Sequence, residues 1–203
     1  QVMEIRPTKA EFKALAKQGN VIPVYGELLA DLETPVSAFL KLDDGGFAFL
    51  LESVAGTEKL AQYSFLGIRP QLLVTATGRH VEISRFSANG RASSIQRFET
   101  RKDPLAEVQA LLAGFRFVPV PGLPRFTGGL VGYLSYNAAR YLERLPEHQL
   151  DDLKVPDVML MLADAMVIFD HAQHKLLLVV NAMTEGRNPS AVYRESVRRI
   201  HKI

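Results

Sequence analysis

The chain has no cysteine among its 203 residues. That excludes disulfide staples and every thiolate metal site, and it is compatible with a reducing compartment. Long hydrophobic runs are missing too. The longest aliphatic stretches are strand-sized, whereas a membrane-spanning helix needs about 20 consecutive apolar residues. The opening, QVMEIRPTKAEF, lacks the basic-then-apolar order of a secretory signal. Basic residues are dispersed rather than blocked, and the formal charge is only +2, so neither a nucleic acid nor an anionic membrane finds support as a partner. The expectation is a soluble, cytoplasmic protein.

Catalytic signatures are scarce as well. No G-x-S-x-G elbow and no phosphate-loop G-x-x-x-x-G-K-[ST] occurs. His171 and His174 form a close histidine pair in HAQH, but their place between two strand-like runs reads as a polar turn before it reads as a metal site. The carboxylate pairs Asp43-Asp44 and Asp151-Asp152 sit in turn-like, solvated contexts. The glycine-rich GGLVGY, Gly128 to Tyr133, suits close strand packing or a backbone contact with a ligand. Tyr133, Tyr136, Arg140 and Tyr141 beside it read equally as a recognition surface or as packed aromatics.

Local signals lay out an α+β chain. Thr8 and Glu11 have capping-box spacing ahead of a helix that Gly19 is suited to end, and Pro23 marks VIPVY as an edge segment. Thr34-Pro35 opens a second helix, Asp103-Pro104 a third, and Asn188-Pro189 a fourth. In the third, Leu105, Val108, Leu111 and Leu112 are expected to face inward, with Gly114 at the end. QLLVTATGRHVEISRF reads as a hairpin around Thr77-Gly78-Arg79. Prolines from Pro119 to Pro124 stiffen a connection, and Asn137 is a candidate cap for NAARYLERLP. VPDVMLMLADAMVIFD and KLLLVVNAM read as two long strands around HAQH. Hairpins interrupted by single helices argue for largely antiparallel sheets with a few packed helices. The last helix ends RRIHKI on an apolar residue without a polar cap, which is consistent with fraying or with further sequence.

One stretch raises a question of its own. Phe47 to Leu51 are apolar without a break, and then Glu52 and Ser53 close the strand ahead of a turn and a second aromatic run, YSFLG. Either the strand has surfaced there, or its tip walls a pocket for something small and polar.

LLESVAGTEKLAQYSFLG (Leu50 to Gly67) and FTGGLVGYLSYNAARYLERLP (Phe126 to Pro146) closely resemble the N-terminal half of anthranilate synthase component I. TPVSAFLKL and PDVMLMLADAMVIFDH fit the same family in order and spacing, so the resemblance runs from about Val21 to the end. Asn137 stands where the family more often carries aspartate. The resemblance implies that residues 1–203 form an N-terminal regulatory region and that the catalytic, chorismate-binding half lies outside this chain. It implies that this other half holds Mg2+, and that a glutamine amidotransferase subunit (component II) supplies ammonia. The intact enzyme, a lyase, would turn chorismate into anthranilate and pyruvate, with this part inactive alone. It also implies a feedback site for L-tryptophan: Ser53 as a donor to the ligand's polar end, Glu52 as counter-charge, Leu51 against the indole, Pro35 as a wall, and Tyr63 as a weaker contact. The alternatives are aminodeoxychorismate synthase component I of the folate branch and a free-standing amino-acid-binding module.

Overall fold

The computed structural model describes residues 3–30, 33–52, 62–87, 90–145 and 153–203. The chain divides into two units, one of residues 1–70, 115–129 and 163–203, the other of 71–114 and 130–162.

The first unit begins with β1 (Ile5–Arg6), α1 (Lys9–Leu15), β2 (Val21–Leu29), α2 (Pro35–Leu42), β3 (Ala48–Glu52) and β4 (Tyr63–Ile68). The second carries β5 (Leu72–Thr77), β6 (His80–Phe86), β7 (Ala92–Glu99), α3 (Pro104–Ala113), β8 (Gly129–Leu134), a 3-10 turn at Tyr136–Tyr141, and β9 (Val158–Ala163). The chain then returns to the first for β10 (Ala165–Asp170), β11 (Lys175–Met183) and α4 (Pro189–Ile200). Among the described residues the strands form a six-stranded sheet in the order β1-β2-β11-β10-β4-β3 and a five-stranded sheet in the order β7-β6-β5-β9-β8. The registered strand pairs are antiparallel, as the alternation of hairpin signals requires.

The helix starts follow their caps. Thr8 accepts from the Glu11 N–H while the Glu11 carboxylate takes the Thr8 N–H, and Thr34 and Ser37 repeat the reciprocal arrangement at α2. Asp103 and Asn188 cap α3 and α4, each with proline in the first turn. On one face of the six-stranded sheet, Ile22, Val24, Leu66, Val167, Phe169, Leu178 and Val180 meet Phe12 of α1, Ala38 of α2 and Val192 and Ile200 of α4. Burying each of the large side chains contributes about 1.5–3 kcal/mol, and Phe12, Ile22 and Leu66 retain no exposure at all. α2 lies against β3 and β4, with Ala38, Phe39 and Leu42 on the packed stripe. Pro35 falls on that same stripe by helical spacing.

Several local expectations are corrected. The run from Val158 to Asp170 is two strands, because it breaks at Asp164 and each half joins a different sheet. Asp164 is fully buried and accepts from the Arg199 guanidinium of α4 at 2.7 Å. β2 extends to Leu29 and lies inside the sheet, yet β1 reaches only Tyr25 and Gly26, so Pro23 still lies beyond the reach of β1 pairing. α1 ends at Leu15, before Gly19, whose Cβ would stand 2.3 Å from the Arg116 carbonyl oxygen. That glycine serves a close backbone crossing rather than a cap. Leu112 of α3 is exposed, so the inward face of that helix is narrower than its leucines suggest. The Asn137 helix is a 3-10 turn started by Ser135 with no side-chain cap. Its end is held by the Tyr141 hydroxyl, which donates to Asp157 Oδ2, an oxygen that also takes the Gly78 N–H.

The glycine-rich strand is explained by packing. A Cβ on Gly132 would lie 1.9 Å from the Met159 carbonyl oxygen across the β8–β9 contact. Gly132→Ala is therefore expected to lower unfolding stability by about 1–3 kcal/mol through overpacking. Gly114, by contrast, has an ordinary helical φ of −73° and room for a methyl group, so Gly114→Ala should be neutral or stabilise by about 0.4–1 kcal/mol. Urea melts of the two variants check both signs.

Candidate functional site

Of the residues singled out above, Glu52, Leu51, Pro35 and Tyr63 fall in the first unit, and Ser53 lies outside the described residues. Among the described residues β3 lies at the edge of its sheet and pairs with β4. Successive residues on a strand face opposite sides, so Leu51 and Glu52 at its tip look in opposite directions.

On the helix-covered side, Ala48, Leu50 and Glu52 stand opposite Ile68, Leu66 and Ser64. The apolar pairs continue the core under α2, and the row turns polar at Glu52 and Ser64. Ser64 in turn stands opposite Phe169 of β10, and His171 follows two residues on, directed to the same side. The Ser64 side chain, in a residue only 2% exposed, lies with its Oγ 2.8 Å from His171 Nε2 and donates to Glu52 Oε1 at 3.5 Å. Glu52 itself is exposed. The carboxylate thus sits at the mouth of the row and the hydroxyl at its floor.

On the other side, Leu51 stands opposite Phe65 and is 44% exposed. Tyr63 and Phe65 lie with ring centroids 6.0 Å apart, and Phe65 meets Phe126 edge-on at 5.1 Å. Tyr63 pairs in register with Asp170, and the Gln62 amide donates to the Tyr63 hydroxyl at 3.0 Å and to Asp170 Oδ1 at 3.4 Å. Asp170 also accepts the N–H groups of Ala172 and Gln173, which shapes the HAQH turn. Partial burial, and secondarily the Asp170 charge, push the Tyr63 phenol above its ordinary 10, against the pull of the Gln62 hydrogen bond.

The structure therefore brings Glu52 together with Ser64 and His171, and Leu51 and Tyr63 together with Phe65, on opposite sides of one sheet edge. Ser64, Gln62 and His171 were not singled out from the sequence as ligand contacts. Ser64 sat unweighed inside YSFLG, and His171 was read only as half of a histidine pair. Among the described residues no three His, Asp or Glu side chains gather as a metal site. A shallow hollow of about 420 Å³ on the second unit's sheet, lined by Thr75, Thr77, His80, Glu82, Arg97 and Glu99, contains none of the residues singled out. Its Arg97 and Glu82 already pair at 2.6 Å, so it presents a satisfied polar sheet face. The β3 edge carries the stronger case.

A sequence profile of the chorismate binding enzyme family matches residues 49–199. Anthranilate synthase component 1 of Acetivibrio thermocellus is 36% identical over 197 residues, covering 97% of this chain and 38% of the relative. The protein of that name from Pseudomonas aeruginosa is 41% identical and covers 89% and 36%, and that from Synechocystis is 37% identical and covers 98% and 39%. The chain thus spans well under half the length of these relatives. The crystal structure of anthranilate synthase component I from Streptococcus pneumoniae superposes with a TM-score of 0.52 at 19% identity over 86% of this chain and 36% of that one. That likeness establishes the mixed, antiparallel α+β fold.

The phenol of Tyr63 gives this geometry a measurable sign. Because its folded value is raised, the fold favours the neutral phenol. The associated stability is fully present below pH about 10 and is lost as pH rises through the folded value. In an ultraviolet titration, Asp170→Asn is expected to let one tyrosine ionise earlier than in the parent. An unchanged curve would mean that Asp170 does not act on Tyr63.

Proposed function

The chain belongs to the chorismate binding enzyme family, and from that premise we propose that it is the N-terminal regulatory and scaffold region of an anthranilate synthase component I. In this reading the intact enzyme converts chorismate and ammonia to anthranilate and pyruvate in tryptophan biosynthesis, with ammonia drawn from glutamine by a component II partner. What carries the reading is that relatives of this one name match nearly the whole chain. In this reading the Mg2+ of the intact enzyme is held by residues outside these 203.

This region's part is to bind L-tryptophan at the tip of β3 and report its presence. Such a ligand needs donors for its carboxylate, an acceptor for its ammonium, and apolar walls for its ring. Ser53 supplies the donor and Glu52 the counter-charge. Leu51 on one side of the strand and Pro35 of α2 on the other supply the walls. Their opposite orientation supports a ligand that wraps the edge of β3, which is the outermost strand of its sheet among the described residues. Tyr63 would be an outer contact, on the same side as Leu51. Inhibition then requires that tryptophan bind one arrangement of the polypeptide better than another, and that difference in affinity is the whole effect.

Anthranilate fluorescence tests the reading, using the longest gene product that contains this sequence, given chorismate, magnesium and ammonia, with and without tryptophan. Tryptophan-inhibited anthranilate from the long product, and none from the 203-residue chain, is the expected result. An aminated chorismate in its place would move the protein to the folate branch. Anthranilate from the short chain would place the active site within these residues. Ser53→Phe is expected to raise the half-inhibitory tryptophan concentration by about tenfold or more, a loss of at least about 1.4 kcal/mol in binding.

A further inference from the structure

Three side chains on the helix-covered face of β3, β4 and the end of β10 form a continuous polar row: Glu52 Oε1, Ser64 Oγ and His171 Nε2. The row stands where the core residues Leu50, Leu66 and Val167 give way to solvent. A hydroxyl carries a single proton. If Ser64 gives that proton to Glu52, His171 Nε2 must carry a hydrogen and donate to Ser64. If Ser64 gives it to His171, Glu52 loses its donor and turns freely at the strand tip.

We propose that His171 and Ser64 are positioning residues for ligand recognition at Glu52: the imidazole Nε2–H donates to Ser64, Ser64 donates to Glu52, and the carboxylate is held with its second oxygen directed at a ligand ammonium. The inference rests on the reading of Glu52 as the counter-charge of a bound amino acid, and it assigns to that site two residues whose side chains need not touch the ligand. Ser64 is held in place by strand register, since its neighbours Glu52 and Phe169 lie directly across on the two flanking strands. His171 is anchored by its own N–H, which donates to the Gln62 carbonyl at 2.9 Å, and by a stacked contact with Phe169 at 6.3 Å. A carboxylate on an exposed tip otherwise samples several rotamers, and freezing one before the ligand arrives lowers the entropic cost of binding.

The test uses the longest gene product containing this sequence, with L-tryptophan as the probe and calorimetric affinity as the readout. Glu52→Gln is expected to weaken binding most. His171→Leu and Ser64→Ala should each weaken it about three- to tenfold, the range for losing one ordinary hydrogen bond. His171→Gln should restore most of the loss, because its carboxamide N–H reaches toward the place of Nε2–H. In a Glu52→Gln background, His171→Leu should have no further effect, which a merely structural role would not produce. If Glu52→Gln weakens binding and His171→Leu does not, the relay is overturned while the ammonium reading stands. If Glu52→Gln leaves affinity unchanged, the reading falls and takes the relay with it. Should His171→Leu fail to fold, nitrogen-15 resonances of the unsubstituted protein decide the matter. A hydrogen on Nε2 with tryptophan bound is required, and a hydrogen on Nδ1 alone would overturn the proposal.

Discussion

A buried carboxylate at Asp164 organises the larger sheet. Its charge is taken out of water entirely and met by Arg199 from α4 at 2.7 Å, while its backbone carbonyl accepts the Asn181 N–H. The Asn181 amide in turn donates to the Thr127 carbonyl at 2.7 Å and, at longer range, to that of Ala163. Removing one member of such a pair leaves an uncompensated buried charge, at a cost of about 3–5 kcal/mol. The knot decides where β9 ends and β10 begins. The start of β10 sets its register with β4, and that register sets Phe169 opposite Ser64 and Asp170 opposite Tyr63. The polar row at the sheet edge stands on that same register.

The two sides of the β3 tip carry different groups of side chains, which spacing alone does not suggest. A motif of consecutive residues invites the picture of one continuous wall. The pleat prevents that, because Leu51 joins the aromatic group of Tyr63 and Phe65 while Glu52 joins Ser64 and His171. Among the described residues β3 is an edge strand, so both groups border the same edge of the sheet.

Much of the local structure was legible in the residues. Capping pairs, proline at first helical turns and the Thr77-Gly78-Arg79 hairpin are decided by nearest-neighbour chemistry, and each appears where its signal stands. The readings that needed correction share a cause. Gly19 looks like a cap, yet it is glycine because backbone from a distant part of the chain passes within contact distance, as it also does at Gly132, where close strand packing was one of the two readings. Asn137 has a capping side chain, but the 3-10 turn there answers to Asp157, which binds Tyr141 and Ser135 from just ahead of β9.

The sequence by itself determined the helix starts, most of the strands, the α+β class and the resemblance to chorismate enzymes, because these rest on short-range patterns and ordered motifs. It also singled out Glu52 as out of place at the end of an apolar strand. What it could not decide is which residues stand beside Glu52. Ser64 and His171 are 12 and 119 positions away, and they meet it only because β3, β4 and β10 pair in one register. The break at Asp164 likewise needed its partner, since an aspartate in an apolar run states a cost and only the folded chain supplies the arginine that meets it.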